Sequence, residues 1–397
     1  MSEHVLGILP SRGLGGGIER YWDWLRGVAA DSGIEVEELA FLSPGDASSL
    51  LRKWRFALRI VVAARTIRHV EGVDIVVAHP NLALMAWVAC RLSGLAASRF
   101  VVAFYGTDAW GLSRFRRWAL ARMAISPITI SSFAAGSLAP IGPPTIVAPG
   151  IAAPWFRLLT GTGAPAGLAT GTGRGRPASA HGPVHILTVF RLDDPGKGLP
   201  EIVEALDQVR SRTGIDVHLT VAGSGTLPDD ARAMVGARAW ITVTTGLSDE
   251  DLATCYHRAD IFVLATRTTF RAPLSGEGFG IVLVEAQLAG TPVVAPAHGG
   301  SDDAFLDGIT GLKPVDESAE ALADAIEPLV VDAELRQALA DNARAWSRAA
   351  FEPCRRYAHV RRLLGWDRNG DDGGDVAGIH DLGLSLSPRP VEGSEPD

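Results

Sequence analysis

Residues 5–20 read Val5-Leu-Gly-Ile-Leu-Pro10-Ser-Arg-Gly-Leu-Gly-Gly-Gly-Ile-Glu-Arg20: a short apolar run, a turn holding four glycines, then the opening of a helix-period stretch. The same unit returns at Ile186-Leu-Thr-Val-Phe-Arg191-Leu-Asp-Asp-Pro-Gly-Lys197-Gly198, again ahead of a helical pattern. Further β-branched apolar runs fall at 36–42, 75–78, 101–105, 129–130 and 145–148 in the first half. In the second they fall at 218–222, 241–244, 261–264, 293–295 and 311–313. Strands apolar on both faces and separated by helices pair in parallel, because each crossover helix covers a sheet face. The pattern predicts an α/β protein of two Rossmann-like, doubly wound domains facing a central cleft. Function is then sought in the loops that follow the strands.

Composition agrees. A chain of 397 residues with 47% apolar residues and mean hydropathy +0.16 can bury two cores, which excludes a mainly disordered or coiled-coil protein. Cys90, Cys255 and Cys354 lie too far apart for a ligand motif, so neither a disulfide scaffold nor a cysteine zinc site is expected, and a reducing cytoplasm fits. The start, MSEHVLGILPSRG, has no basic region ahead of a long apolar run and is not expected to be a signal peptide. Residues 158–183, rich in Gly, Ala, Thr and Pro, read as a flexible linker, and 366–397 as a disordered tail. That leaves a first domain over 1–157 and a second over 184–365. The first 157 residues carry 16 Lys+Arg against 11 Asp+Glu, the remainder 21 against 34, so a basic front half points to an anionic partner.

Three loops carry chemistry. After the first strand, Gly13, Gly15, Gly16 and Gly17 let backbone N–H groups approach an anion at a helix N-terminus, or make a merely flexible turn. The dinucleotide fingerprint fails there, because the third glycine is due at Ile18, and a nicotinamide oxidoreductase is disfavoured. In the second half, Arg191 and Lys197 flank a tight turn and suit a diphosphate, one by its fork and one as a point charge. The third loop is Ser275-Gly-Glu277-Gly-Phe-Gly-Ile-Val-Leu-Val-Glu285. Gly278 and Gly280 open a helix near Ile281 between two carboxylates able to accept bonds from sugar hydroxyls. Cations for phosphate beside carboxylates for hydroxyls describe a nucleotide-sugar pocket.

These residues resemble the retaining GT-B glycosyltransferases of family 4, the bacterial glycosyl transferases group 1. GGIER at 16–20, RL…KG at 191–198, AGSG at 222–225 and TGLSDEDL at 245–252 carry the resemblance. So do the E-x7-E element from Glu277 to Glu285, GTPVVAPAHGG at 290–300 and DGITG at 307–311. The resemblance implies an enzyme of hexosyltransferase type: a sugar moves from a nucleotide-diphosphate sugar to an acceptor hydroxyl on a glycan, glycolipid or natural product. It needs no metal and no cofactor, and a C-terminal helix near 353–364 crosses back to the first domain. Arg191 and Lys197 would hold the diphosphate, with Gly16 and Gly17 approaching it from the other domain. Glu277 would contact the donor sugar and Glu285 the ribose. Gly223 falls in the AGSG element of the donor side, the backbone around Leu247 would border the base, and the N–H groups of Gly278, Phe279 and Gly280 would face sugar and phosphate. Arg191, Lys197, Glu277 and Asp108 form the candidate catalytic set.

The chain departs from the family's pattern in places. Tyr105-Gly106-Thr107-Asp108 stands where His-Gly is usual, so His79, Tyr105 and Asp108 are the acceptor-side candidates. The usual Asn is absent at Pro149-Gly150. Arg267 and Arg271, in a long loop, read as recognising an acidic substrate or as solvated. Residues 51–60 and 113–122 mix arginines with Trp and Phe at helical spacing. Such a stretch is either an ordinary amphipathic helix or a peripheral contact with the inner face of the cell membrane. Nucleic-acid binding lacks a motif. The competing classes are a sugar-nucleotide epimerase of the same architecture, a phosphorylase (short of a lysine for its cofactor) and a non-catalytic nucleotide-sugar binding protein.

Overall fold

The computed structural model describes residues 3–13, 17–43, 50–162, 182–271 and 274–367. The first sheet is assembled from β1 (His4–Ser11), α1 (Gly17–Asp31), β2 (Glu35–Leu42), α2 (Leu50–Thr66), β3 (Val73–Val77), α3 (Pro80–Ser93), β4 (Arg99–Phe104), α4 (Thr107–Trp110), α5 (Arg114–Arg122), β5 (Ser126–Thr129), α6 (Ser132–Leu138) and β6 (Thr145–Ile146). Helix α7 (Ala153–Thr160) follows. The second sheet comes from β7 (Val184–Val189), α8 (Leu199–Thr213), β8 (Val217–Gly223), α9 (Asp229–Gly236), β9 (Ile241–Thr245), α10 (Asp249–Arg258), β10 (Ile261–Val263), α11 (Ile281–Ala289), β11 (Val293–Val294) and β12 (Gly311–Leu312). It is closed by α12 (Ala319–Val331), α13 (Ala333–Phe351) and α14 (Pro353–Leu364). Every strand pair in both sheets is parallel, in the orders β2-β1-β3-β4-β5-β6 and β12-β11-β10-β7-β8-β9. Each apolar run read as a strand forms one.

Burial explains the layers. Leu6, Ile8, Ile75, Val77 and Val102 point to one face of the first sheet, where α2, α3, α5 and α6 cover them. Val5, Leu9, Val76 and Val101 point to the other, against α1. The fit there is close: a Cβ on Gly7 would sit 2.2 Å from the Trp22 ring. The second sheet is covered by α8 and α12 on one side and by α11 and α13 on the other.

Helix α14 starts on a Glu352 cap with Pro353 behind it and stops at Gly365, whose φ is 61°. Val360 and Leu364 of this helix, with Trp366 just beyond it, are buried beside Trp22, Leu25 and Val28 of α1. Trp366 is 2% exposed and donates its Nε1 hydrogen to Asp74 Oδ2 at 3.0 Å, so the tail expected to begin at 366 does not include this residue. The indole meets a buried carboxylate and an apolar wall at once, a pairing that composition could not anticipate. The linker expected from 158 is also corrected, because Leu158, Leu159 and Thr160 complete α7 with the last two buried. Residues 163–181 of that linker and 368–397 of the tail lie outside the described residues.

Candidate active site

The C-terminal ends of the two sheets meet. After β4, Tyr105 and Gly106 lie against the turn that opens α11. A Cβ on Gly278 would stand 2.0 Å from the Tyr105 carbonyl oxygen. One on Gly300 would stand 1.9 Å from the Gly278 oxygen and 2.6 Å from Ser131 Oγ. The Ser132 hydroxyl donates to Asp303 Oδ1 at 2.7 Å, and the Ser132 N–H to Oδ2. Glycine is required at 278 because two backbones from different domains touch there.

Glu277 sits at the centre of this contact. Its Oε2 accepts from Lys197 Nζ at 3.0 Å and from Thr266 Oγ1 at 2.8 Å, and the Gly280 N–H also donates to the carboxylate. Burial pushes this carboxyl up, but the Lys197 charge and the donated hydrogen bonds outweigh burial and hold it below its usual range. A carboxyl depressed in the fold stabilises it above its unfolded pKa of about 4.3, and this stability is lost as pH falls through the folded value. The Tm gap between wild type and Glu277→Gln should therefore be present at neutral pH and close in acid; a gap unchanged by acidification would remove the Lys197–Glu277 pair.

The two cations expected on one spot point to different partners. Lys197 ends a one-turn 3-10 helix at Pro195–Lys197, and at Gly198, with φ 73°, a Cβ would meet the Ala265 oxygen at 2.0 Å. That packing aims the lysine at Glu277. Arg191 is exposed and pairs with Asp193 at 3.1 Å and Asp194 at 3.9 Å. Spacing put both on one loop; the DD pair between them, legible in the sequence, is what diverts the arginine.

Glu285 has partners of its own within the protein. It is buried on α11, its Oε1 accepting from Trp155 Nε1 at 2.9 Å and its Oε2 from Tyr256 OH at 2.7 Å. Burial raises its pKa against the pull of these two donors and of Arg20. The carboxylate is positioned by protein groups from α7 and α10, each oxygen accepting one bond. Glu285→Gln leaves one carbonyl oxygen where two donors need acceptors. The expected cost is about 1–3 kcal/mol, seen as a lowered Tm in the absence of ligand; an unchanged Tm would show that these bonds do not position the side chain.

On the first-domain side, Gly16 lies outside the described residues, while Gly17 begins α1. Glu19 holds the β1–α1 turn, accepting from Ser11 Oγ at 2.6 Å and the Gly13 N–H at 2.9 Å. It was legible in GGIER but was assigned no task; burial of a glutamate in a first turn is a tertiary fact. His79 caps α3, its Nδ1 accepting from the Asn81 N–H at 3.2 Å. Asp108 Oδ1 accepts from the Tyr105 and Gly106 N–H groups at 2.9 and 2.7 Å, which ties it to its own turn rather than to open space. Burial raises the Asp108 pKa and lowers that of His79, while their mutual attraction opposes both shifts. The Tyr105 hydroxyl is raised well above its ordinary range by burial.

Gly223 has a structural task, since a Cβ would fall 1.8 Å from the Phe190 oxygen. Phe279 turns its ring into the core toward Phe351, leaving only its backbone for the cleft. Leu247 is half-buried at the end of β9. Arg267 is engaged by Glu201 at 2.7 Å and by Glu317 at 3.9 Å, so it is not free for an acidic substrate; Arg271 is exposed. Sequence reasoning missed a recess of about 500 Å³ beside the Glu277 turn, where Phe133 of the first domain faces Phe270, His298, Lys313 and Glu317 of the second. Nothing in the spacing of those residues joins them.

The fold agrees with that of known proteins. Residues 173–346 match the model of the family described as Glycosyl transferases group 1. In sequence, the chain is 31% identical over 173 residues to the GDP-mannose-dependent alpha-(1-6)-phosphatidylinositol monomannoside mannosyltransferase of Mycolicibacterium smegmatis, covering 43% of this chain and 45% of that one. It is 34% identical over 161 residues to the D-inositol 3-phosphate glycosyltransferase of an Arthrobacter species, covering 39% and 36%. The matches thus span less than half the length of these relatives. In structure, a glycosyltransferase from Rickettsia africae superposes with TM-score 0.73 at 16% identity, over 93% of this chain and all of that one. Anabaena HepE, crystallised with UDP and glucose, superposes with TM-score 0.67 at 16% identity, over 91% and 99%. The architecture is the two-domain GT-B fold.

Proposed function

We propose that this protein is a retaining glycosyltransferase of family 4 that moves a hexosyl unit from a nucleotide-diphosphate sugar to an acceptor hydroxyl. The observation that carries the reading is the Lys197–Glu277–Thr266 network, set at the mouth of the Gly278–Gly280 turn where the first domain closes on the second. An incoming diphosphate competes with Glu277 for the Lys197 ammonium, and Arg191, on an exposed side chain, swings from Asp193 to the same anion. Glu277, released from the lysine, accepts from the donor sugar hydroxyls, while Glu285 accepts from the ribose. The acceptor oxygen bonds to the anomeric carbon on the face from which the nucleoside diphosphate leaves. The acceptor proton passes to the departing phosphate oxygen, so configuration is retained. His79, Tyr105 and Asp108 line the acceptor side.

Transfer is to be measured with UDP-, GDP-, ADP- and TDP-sugars, reading the product anomer by NMR. Inverted product would remove the retaining mechanism, and failure to bind any nucleotide would remove the reading. Cations and the α11 N-terminus are assigned the leaving-group charge, so activity should persist in excess EDTA; metal-reversible loss would show another group carries it. Glu277→Gln should leave free-nucleotide binding intact by calorimetry while slowing transfer, and Glu285→Gln should weaken nucleotide and nucleotide sugar alike. Equal weakening in both would exchange the roles.

A further inference from the structure

The outer layer of the first domain is unusual. On α2, Leu51, Trp54, Leu58 and Val62 are 71%, 70%, 63% and 55% exposed at about one-turn spacing, opposite the buried Phe56, Ile60 and Ala63. On α3, which packs against α2, Leu84, Val88 and Leu92 repeat the outward stripe opposite Ala83, Ala86 and Cys90. On α5, which packs against α3, Phe115 and Trp118 are exposed and stacked 5.9 Å apart. All three helices cover the same face of the first sheet, so the stripes share one side of the domain. An exposed apolar surface of this extent marks an interaction site.

Charge selects the occupant. The three helices carry ten Lys and Arg and no Asp or Glu: five cations on α2, one on α3 and four on α5. Lys53, Arg55, Arg59, Arg65, Arg91, Arg114, Arg116 and Arg122 are exposed around the stripes. A second copy of this chain would bring the same cations against these, which repels. An anionic bilayer satisfies both features, taking the aromatics at its boundary and the cations at its headgroups. The face is also tied to the acceptor side of the cleft. Arg116 Nη1 donates to Asn81 Oδ1 at 2.7 Å in the first turn of α3, next to His79, and Arg117 Nη2 donates to the Trp110 carbonyl oxygen at 3.3 Å, beyond the Tyr105–Asp108 turn.

We infer that the outward face of α2, α3 and α5 docks on anionic lipid, and that the acceptor hydroxyl belongs to an amphiphile in the same leaflet. The second half rests on the transferase reading; the first does not. Flotation of the full chain with vesicles tests the docking. Phosphatidylglycerol-containing vesicles should hold the protein about tenfold more tightly than pure phosphatidylcholine, with the preference falling as salt rises. The Trp54→Glu, Phe115→Glu, Trp118→Glu variant should lose vesicle binding while keeping its Tm and its calorimetric affinity for nucleotide, since all three side chains are exposed. Its transfer to a vesicle-borne acceptor should fall, with transfer to a short, water-soluble acceptor unchanged. No binding of wild type to anionic vesicles, or wild-type binding by the variant, would overturn the docking. So would a dimer abolished by the variant in place of vesicle binding. Equal loss of transfer to both acceptors would overturn the amphiphile, and vesicle binding without transfer to any acceptor would refute the transferase reading while leaving the docking standing.

Discussion

Lys197→Ala is expected to lower the transfer rate about 100-fold or more, with folding preserved. Loss of one preorganised charge at the leaving group typically costs on the order of 3 kcal/mol of transition-state stabilisation, and each 1.36 kcal/mol is tenfold in rate. The structure adds a second cost. Lys197 is the charge that keeps Glu277 ionised against burial. Without it, the largest pull against burial is gone and the Glu277 pKa rises, so under the proposed roles one substitution removes the cation for the phosphate and weakens the acceptor for the sugar. Lys197→Arg should restore part of the rate by replacing the charge, at reduced efficiency, because a planar guanidinium does not present its charge as a compact ammonium does. Steady-state kinetics with the best donor, alongside Tm, is the measurement. Turnover near wild type in Lys197→Ala would remove this residue from the mechanism. Arg191→Ala should act in the same direction but more weakly, because that guanidinium is shared with Asp193 and Asp194.

Gly278→Ala is expected to cost about 100-fold in kcat/KM, the scale of a misplacement of about 1 Å at a preorganised site. The added carbon would lie 2.0 Å from the Tyr105 carbonyl oxygen and 3.2 Å from the Ile130 side chain. The nearer atom is backbone in the other domain, so no rotamer change relieves the contact and the two domains must separate locally. Each domain keeps its own core, so Tm should fall far less than activity does. The control is Gly236→Ala, where a Cβ has nothing within 4 Å, and where activity should stay at the wild-type level. Wild-type activity in Gly278→Ala would mean that this interdomain contact is not made during catalysis.

Much of the molecule was legible before its structure. Twelve apolar runs predicted twelve strands, because a strand buried on both faces must be apolar throughout. Helix α11 began where Gly280 demanded it and α14 ended where Gly365 did, because caps are local chemistry. Glu277 and Lys197 were singled out by type and spacing, and they meet at 3.0 Å.

Neighbours along the chain settle period, turn, cap and the identity of chemically capable residues. The tertiary structure decided direction and company. Arg191 and Lys197 sit six positions apart, yet one turns to Asp193 and the other across 80 residues to Glu277. Glu285 could be counted from Glu277, but its donors Trp155 and Tyr256 come from helices 130 and 29 residues away. Trp366 looked like the first residue of a tail until Asp74, 292 positions earlier, gave its indole an acceptor. Side-chain direction depends on packing, and packing sums contacts between segments that no local pattern relates.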